Sequence, residues 1–236
     1  MQKYTSSVLM KCLKSWPAGD FRSKGSPHLA PLMQAGTCVI IGLLSQVQNF
    51  GFSEVSMCKV ILYIAMSLDG YIADRDGGVA WLDGDGSDCG HPGSYPDFIQ
   101  TVDTVVLGYR TYHQIISELS PENWVYRGLK SYVFTHRKLL STEEILFTGR
   151  SPADLVAELK NSSSGIWVCG GSDIANQLLG AGLIDELFIS VIPTILGGGI
   201  RLFTAERSMG LMLLSVLHYN GIVEMRYRLK ETPDTV

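Results

Sequence analysis

Three short segments of the chain combine residue types that can hold phosphate. In Ile166-Trp167-Val168-Cys169-Gly170-Gly171-Ser172, a β-branched and aromatic run leads into two glycines and then a hydroxyl. Where a strand passes into a helix at such a point, backbone amides free of side chains face outward, and the helix dipole favours an anion. The plainer alternative is a tight turn that simply needs glycine. Val105-Val106-Leu107-Gly108-Tyr109-Arg110-Thr111 repeats the form, with a guanidinium fork and a hydroxyl at the expected helix start. Phe134-Thr135-His136-Arg137 ends a third run in hydroxyl, imidazole and guanidinium. Taken singly, Arg110 and Arg137 read as solvated surface residues. Together, the three strand ends point to one phosphate-bearing ligand, because ligands of open α/β sheets sit outside the carboxyl ends of the strands. The G-x-G-x-x-G fingerprint is absent, which disfavours a standard Rossmann domain.

The elements that must position these turns follow from periodicity. Runs rich in β-branched and aromatic residues predict strands over 59–67, 104–107, 131–135, 144–147, 166–169 and 186–192. Helical patterns fill 95–102, 110–119, 152–160 and 172–181, the third opening on Ser151-Pro152, an N-cap followed by proline at the first helical position. Near the end, Tyr219-Asn220-Gly221 separates two strand-like runs over 211–218 and 222–229, and Asn-Gly between such runs is a strong hairpin signal. The expectation is an α/β fold with helices on both faces of a mixed, mostly parallel sheet that ends in an antiparallel hairpin.

Composition narrows the function. Apolar residues make up 46% and charged residues 18%, with a net charge of −4 and no basic block. A globular domain fits those values, and a protein built mainly to neutralise nucleic-acid phosphates does not. The five cysteines are widely spaced with no Cys-x-x-Cys pair, so reduced thiols are expected rather than a disulfide framework or a zinc site. Apolar runs are too short to span a bilayer, and a cytoplasmic location is the expectation. Residues 1–56 lack the strand rhythm that begins after Met57. They read as a disordered extension, or as sequence translated ahead of a start at Met57, with 57–231 as the domain and 232–236 as a tail. The apolar stretch around 209–214 is a candidate dimer surface or an edge strand.

These motifs, taken in order with the Ser67-Leu68-Asp69-Gly70-Tyr71-Ile72-Ala73 loop, resemble the dihydrofolate reductase superfamily. More narrowly, the segment from Gly182-Leu183-Ile184-Asp185-Glu186-Leu187 through Ile192-Pro193-Thr194-Ile195-Leu196-Gly197-Gly198-Gly199 is similar to the bacterial branch related to the reductase domain of riboflavin biosynthesis. The resemblance covers residues 57 to 229. It implies a three-layer dihydrofolate-reductase-like fold with NADPH across the carboxyl edge of the sheet. Ala65 and Ile72 would meet the nicotinamide, and Gly108, Arg110 and Thr111 the phosphates. Thr135, His136 and Arg137 would face the 2′-phosphate, and Gly170, Gly171 and Ser172 the pyrophosphate. Trp81 matches the tryptophan of the mobile loop at the active site. The family usually places a basic residue directly after the glycine of the second motif; here that position is Tyr109.

The implied activity is hydride transfer from NADPH to a small pteridine-like or pyrimidinone-like substrate, without a metal. The alternatives are riboflavin-pathway reduction of a ribosylated pyrimidinone and a nucleotide-binding module without turnover. Reduction of C=N or C=O also needs a proton. Asp69 and Asp97 are the acids expected near the cleft, yet Asp69 has an alternative role capping its turn, and Asp97 one as a helix-start residue. The carboxylate that dihydrofolate reductases carry on the helix after the tryptophan loop has no clear counterpart.

Overall fold

The computed structural model describes residues 57–204 and 208–230. The expectations for residues 1–56 and for the tail at 232–236 lie outside the described residues.

The main sheet has eight strands in the order β5-β4-β3-β6-β1-β7-β10-β9. They are β1 (Lys59–Ser67), β3 (Thr104–Gly108), β4 (Lys130–Phe134), β5 (Ile145–Thr148), β6 (Gly165–Gly170), β7 (Glu186–Ile192), β9 (Leu211–Tyr219) and β10 (Ile222–Leu229). β5, β4, β3, β6, β1 and β7 run parallel, and β10 pairs antiparallel with both β7 and β9. The β9–β10 turn is at Asn220-Gly221, both in the left-handed region with φ of 47° and 72°, as a tight Asn-Gly hairpin requires. The short strands β2 (Tyr71–Ala73) and β8 (Ile200–Arg201) form a separate two-stranded sheet, which the sequence reading did not contain.

Alternation along β1 divides the core in two. Val60, Leu62 and Ile64 face the helices α3 (Pro152–Leu159) and α4 (Ser172–Gly180), meeting Leu155, Val156, Leu159, Ile174 and Leu178. Ile61 and Tyr63 face the other way, toward the short helix α1 (Tyr95–Phe98) and the turn that follows α2 (Tyr109–Gln114), in one cluster with Phe98 and Ile115. A strand buried on both faces reads as a near-continuous apolar run, which is why β1 was legible at its full length. Each Leu, Ile or Val buried in these layers contributes on the order of 1.5–3 kcal/mol of hydrophobic transfer energy. Trp167 is fully buried on the α1 side, and its indole N–H donates to the Tyr63 carbonyl at 3.0 Å.

Two helices differ from expectation at their ends. The helix expected over 95–102 is α-helical only through Tyr95–Phe98 and then tightens to a 3₁₀ turn, Ile99–Thr101. The one expected over 110–119 widens to a π turn at Ile115–Leu119 after α2. The outer strand β9 leaves Leu211, Met212, Leu213 and Val216 exposed. Among the described residues, no helix is long and apolar enough to cross a membrane.

Candidate functional site

The carboxyl ends of β1, β3, β4, β5 and β6 open onto one cleft of about 1220 Å³. Each turn that follows these strands has its own local cause. After β3, Gly108 is extended and α2 begins at once, so Tyr109, Arg110 and Thr111 form its first turn. After β6, Gly170 takes a φ of +136° that side chains rarely adopt, a cis peptide joins it to Gly171, and α4 follows. The two turns nearly touch. A Cβ placed on Gly108 would lie 3.8 Å from the Gly171 nitrogen, and one on Gly171 would lie 3.8 Å from the Thr111 hydroxyl. Both glycines keep open the space between two sets of helix-start amides.

After β4, the Thr135 hydroxyl accepts a hydrogen bond from the Arg137 amide at 3.1 Å, folding Thr135-His136-Arg137 into a compact turn. The Arg137 guanidinium lies 4.5 Å over the Tyr109 ring and donates to the Tyr109 hydroxyl at 3.5 Å. Tyr109 therefore serves as an aromatic platform for the cation of the neighbouring turn.

Every residue that the resemblance assigned to cofactor lines this cleft: Ala65 and Ile72, the Gly108, Arg110 and Thr111 group, Thr135 with His136 and Arg137, and Gly170 with Gly171 and Ser172. The residues named for chemistry do not. Asp69 is engaged in its own turn, where its carboxylate accepts from the Ser67 hydroxyl at 2.6 Å and from the amides of Leu196 and Gly197 at 3.1 and 2.7 Å. The Ser67 hydroxyl, followed by those amides, holds the Asp69 carboxyl down at about 2. Asp97 is exposed on α1, while its neighbour Phe98 takes the inward position. Trp81 donates its indole N–H to the Gly78 carbonyl at 3.2 Å and packs, as Ala65 does, on the cluster of Ile192, Tyr219 and Ile222.

The sequence reading missed two groups of lining residues. After β5, Thr148-Gly149-Arg150 copies the β4 turn: the Thr148 hydroxyl accepts from the Arg150 amide at 3.2 Å, and both residues line the cleft. The Thr-x-Arg spacing shared with 135–137 was a signal in the sequence. Arg150 is paired with Glu158 at 2.7 Å. The second group holds Cys169 and Tyr126, whose sulfur and hydroxyl lie 3.2 Å apart on the cleft wall. Burial pushes the Cys169 thiol up to about 11, so at neutral pH it is not a nucleophile.

Charge divides the lining by sheet position. Its basic side chains among the described residues, Arg110, His113, His136, Arg137 and Arg150, all follow β3, β4 or β5. The part supplied by β1, β2 and the loop behind them is apolar apart from Tyr63 and Asp76, with Ile64, Ala65, Ile72, Val79 and Leu82.

Relatives share this architecture. The chain is 41% identical over 175 residues to the protein YwjB of Bacillus subtilis, a match spanning 72% of this chain and 97% of YwjB. Among solved structures, one from Shewanella sp. PV-4 superposes with a TM-score of 0.66 at 24% identity, covering 73% of this chain and 99% of that one. Dihydrofolate reductase from Enterococcus faecalis, solved in complex with NADP(H), superposes with a TM-score of 0.53 at 16% identity, covering 73% and 97%. The fold is thus the dihydrofolate-reductase-like α/β fold that the motifs implied. The family model for the RibD C-terminal domain matches residues 58–223, and the chain belongs to that family.

Proposed function

We propose that this protein is an NADPH-dependent reductase of a small, unphosphorylated heterocycle. The observation that carries this reading is the convergence of the β3, β4 and β6 turns with Ala65 and Ile72 on a single cleft. Bound there, NADPH would supply the hydride. The chain's own work is to bind, orient and exclude water. Amides after Gly108 and Gly171 would hold the phosphates, the Arg110 and Arg137 guanidinium groups with His136 would hold the 2′-phosphate, and Ala65 and Ile72 would form the apolar seat of the nicotinamide.

The distribution of charge bears on the substrate. A ribosyl phosphate would need a cation near the nicotinamide seat, and the described lining residues from β1, β2 and their loop include none. This favours a pteridine-like or pyrimidinone-like ring over the sugar phosphate of riboflavin biosynthesis. Fluorescence titration with NADPH and NADH, followed by absorbance assays of NADPH oxidation with pteridines and pyrimidinones, tests the reading. Tighter binding of NADPH, with oxidation that depends on such a ring, is expected. Tight binding without oxidation by any of them would leave a nucleotide-binding module, and absence of dinucleotide binding would sink the assignment.

A further inference from the structure

The two fully buried glutamates of the main sheet have opposite surroundings. Glu186 is held by Lys59 at 2.8 Å and Arg226 at 2.7 Å, so its charge is matched. Glu224, 4% exposed on β10, accepts side-chain hydrogen bonds among the described residues from hydroxyls alone: Tyr63 at 2.8 Å, Ser190 at 3.3 Å and Tyr219 at 3.4 Å, all on the same carboxylate oxygen. Among the described residues, no cation pairs with it. A buried acid is costly to keep without an ion partner.

Sheet register fixes where this acid lies. Glu224 pairs with Ser190, and Ser190 pairs with Ala65 on β1. Directly paired residues project to the same face of a sheet, and residues two apart on one strand share a face. Ala65, Ser190, Glu224 and Tyr63 therefore occupy one face, the α1 side. Tyr63 also belongs to the cleft wall, next to Ala65. Its ring is fixed edge-on against Phe98 at 4.6 Å between centroids, and the Ser94 hydroxyl, at the N-cap of α1, lies 3.4 Å from its oxygen.

We infer that Tyr63, backed by Glu224, is the proton route to the substrate, an acid supplied by the C-terminal hairpin where α1 carries none. This inference rests on the reductase reading. As the carbon of a ring C=N bond gains the hydride, the π pair on nitrogen takes the Tyr63 hydroxyl proton. The Tyr63 oxygen takes the proton of Glu224, and Glu224 is recharged from solvent. A phenol both donates and accepts, so it can pass a proton along such a chain. Burial raises the Tyr63 hydroxyl far above its ordinary range, so it remains a phenol between turnovers. The other ionisable groups around the pair are Tyr219, with His91 stacked on it at 4.8 Å, and Tyr95 of α1.

The test uses Tyr63→Phe and Glu224→Gln in the full chain, with 7,8-dihydropterin as the probe, since it fuses a pyrimidinone ring to a dihydropyrazine ring with one reducible C=N bond. NADPH affinity and thermal midpoint are measured first. Both variants should bind NADPH like the wild type, and Tyr63→Phe should bind dihydropterin several-fold more weakly in a fluorescence titration of the NADP⁺ complex. Single-turnover rates should fall on the order of 100-fold or more, the usual contribution of a placed general acid. The wild-type rate should drop as pH rises, since the step consumes a solvent proton, and Glu224→Gln, which cannot relay one, should change that profile. If Glu224→Gln does not fold, Tyr63→Phe carries the test, since it keeps the ring packing and leaves Glu224 two hydroxyl partners. Wild-type rates and an unchanged pH profile in Tyr63→Phe overturn the inference. A wild type that neither binds nor reduces dihydropterin overturns it as well, while the NADPH titration shows separately whether the cofactor reading stands.

Discussion

Arg137 is pre-positioned at the cleft mouth. The Tyr109 ring holds its guanidinium from below, and the Thr135 turn fixes its backbone. A cation so placed loses little side-chain freedom when it meets a phosphate, which is the usual advantage of the planar arginine fork. Losing one charge-assisted hydrogen bond to a dianionic phosphate costs on the order of 1.5–3 kcal/mol, or roughly tenfold or more in affinity. Arg137→Ala and Arg110→Ala are therefore each expected to weaken NADPH much more than NADH, which has no 2′-phosphate. Added salt should narrow the wild-type preference by screening. Paired fluorescence titrations with the two dinucleotides decide the point. Equal losses for both would place the arginines at the shared pyrophosphate instead.

At the scale of elements, Asp69 joins two distant pieces of chain. Its carboxylate takes amides from Leu196 and Gly197, and the Leu68 amide donates to the Thr194 carbonyl at 2.8 Å, so the turn after β1 is pinned to the loop after β7. That same turn leads into β2 and Ile72, at the expected nicotinamide seat. The folded state holds Asp69 at about 2 against an ordinary value of 3.8. A carboxyl lowered by folding contributes stability that is complete above its unfolded value and fades as pH falls through the folded one. Asp69→Ala should therefore lower the urea midpoint at neutral pH, and the gap to the wild type should close between about pH 4 and pH 2. A gap that stays constant over that range would show that the carboxylate charge does not hold the clamp. Much at this scale was legible beforehand. β1 and β7 were bounded by unambiguous turn residues, and Ser151 does cap α3, accepting from the Asp154 amide. β2 and β8, with three and two residues, are too short to show any period. The clamp itself joins positions 127 and 128 residues apart in sequence, and only the folded chain shows it.

At the scale of the whole molecule, the sequence showed the turns that line the cleft but not the order of the strands that carry them. Parallel neighbours leave no local trace, because each pairing is made across a long crossover. Tyr63 and Glu224, 161 residues apart, meet only because β7 lies between their strands. That same topology bears on the segment before Met57. β1 starts at Lys59 and occupies the middle of the sheet, with β6 on one side and β7 on the other. Its ladder partners are residues 165–168 and 186–192, and every described residue lining the cleft lies between Tyr63 and Ile200. Among the described residues, the partners of the central strand and the lining of the cleft all lie after Met57. A chain beginning at Met57 is therefore expected to fold with an unchanged thermal midpoint and to bind NADPH with the affinity of the full chain. The comparison needs only melting curves and dinucleotide titrations of the two proteins side by side. A lower midpoint with normal binding would mean that the first segment packs on the domain away from the cleft. Weaker binding at an unchanged midpoint would mean that it reaches the dinucleotide.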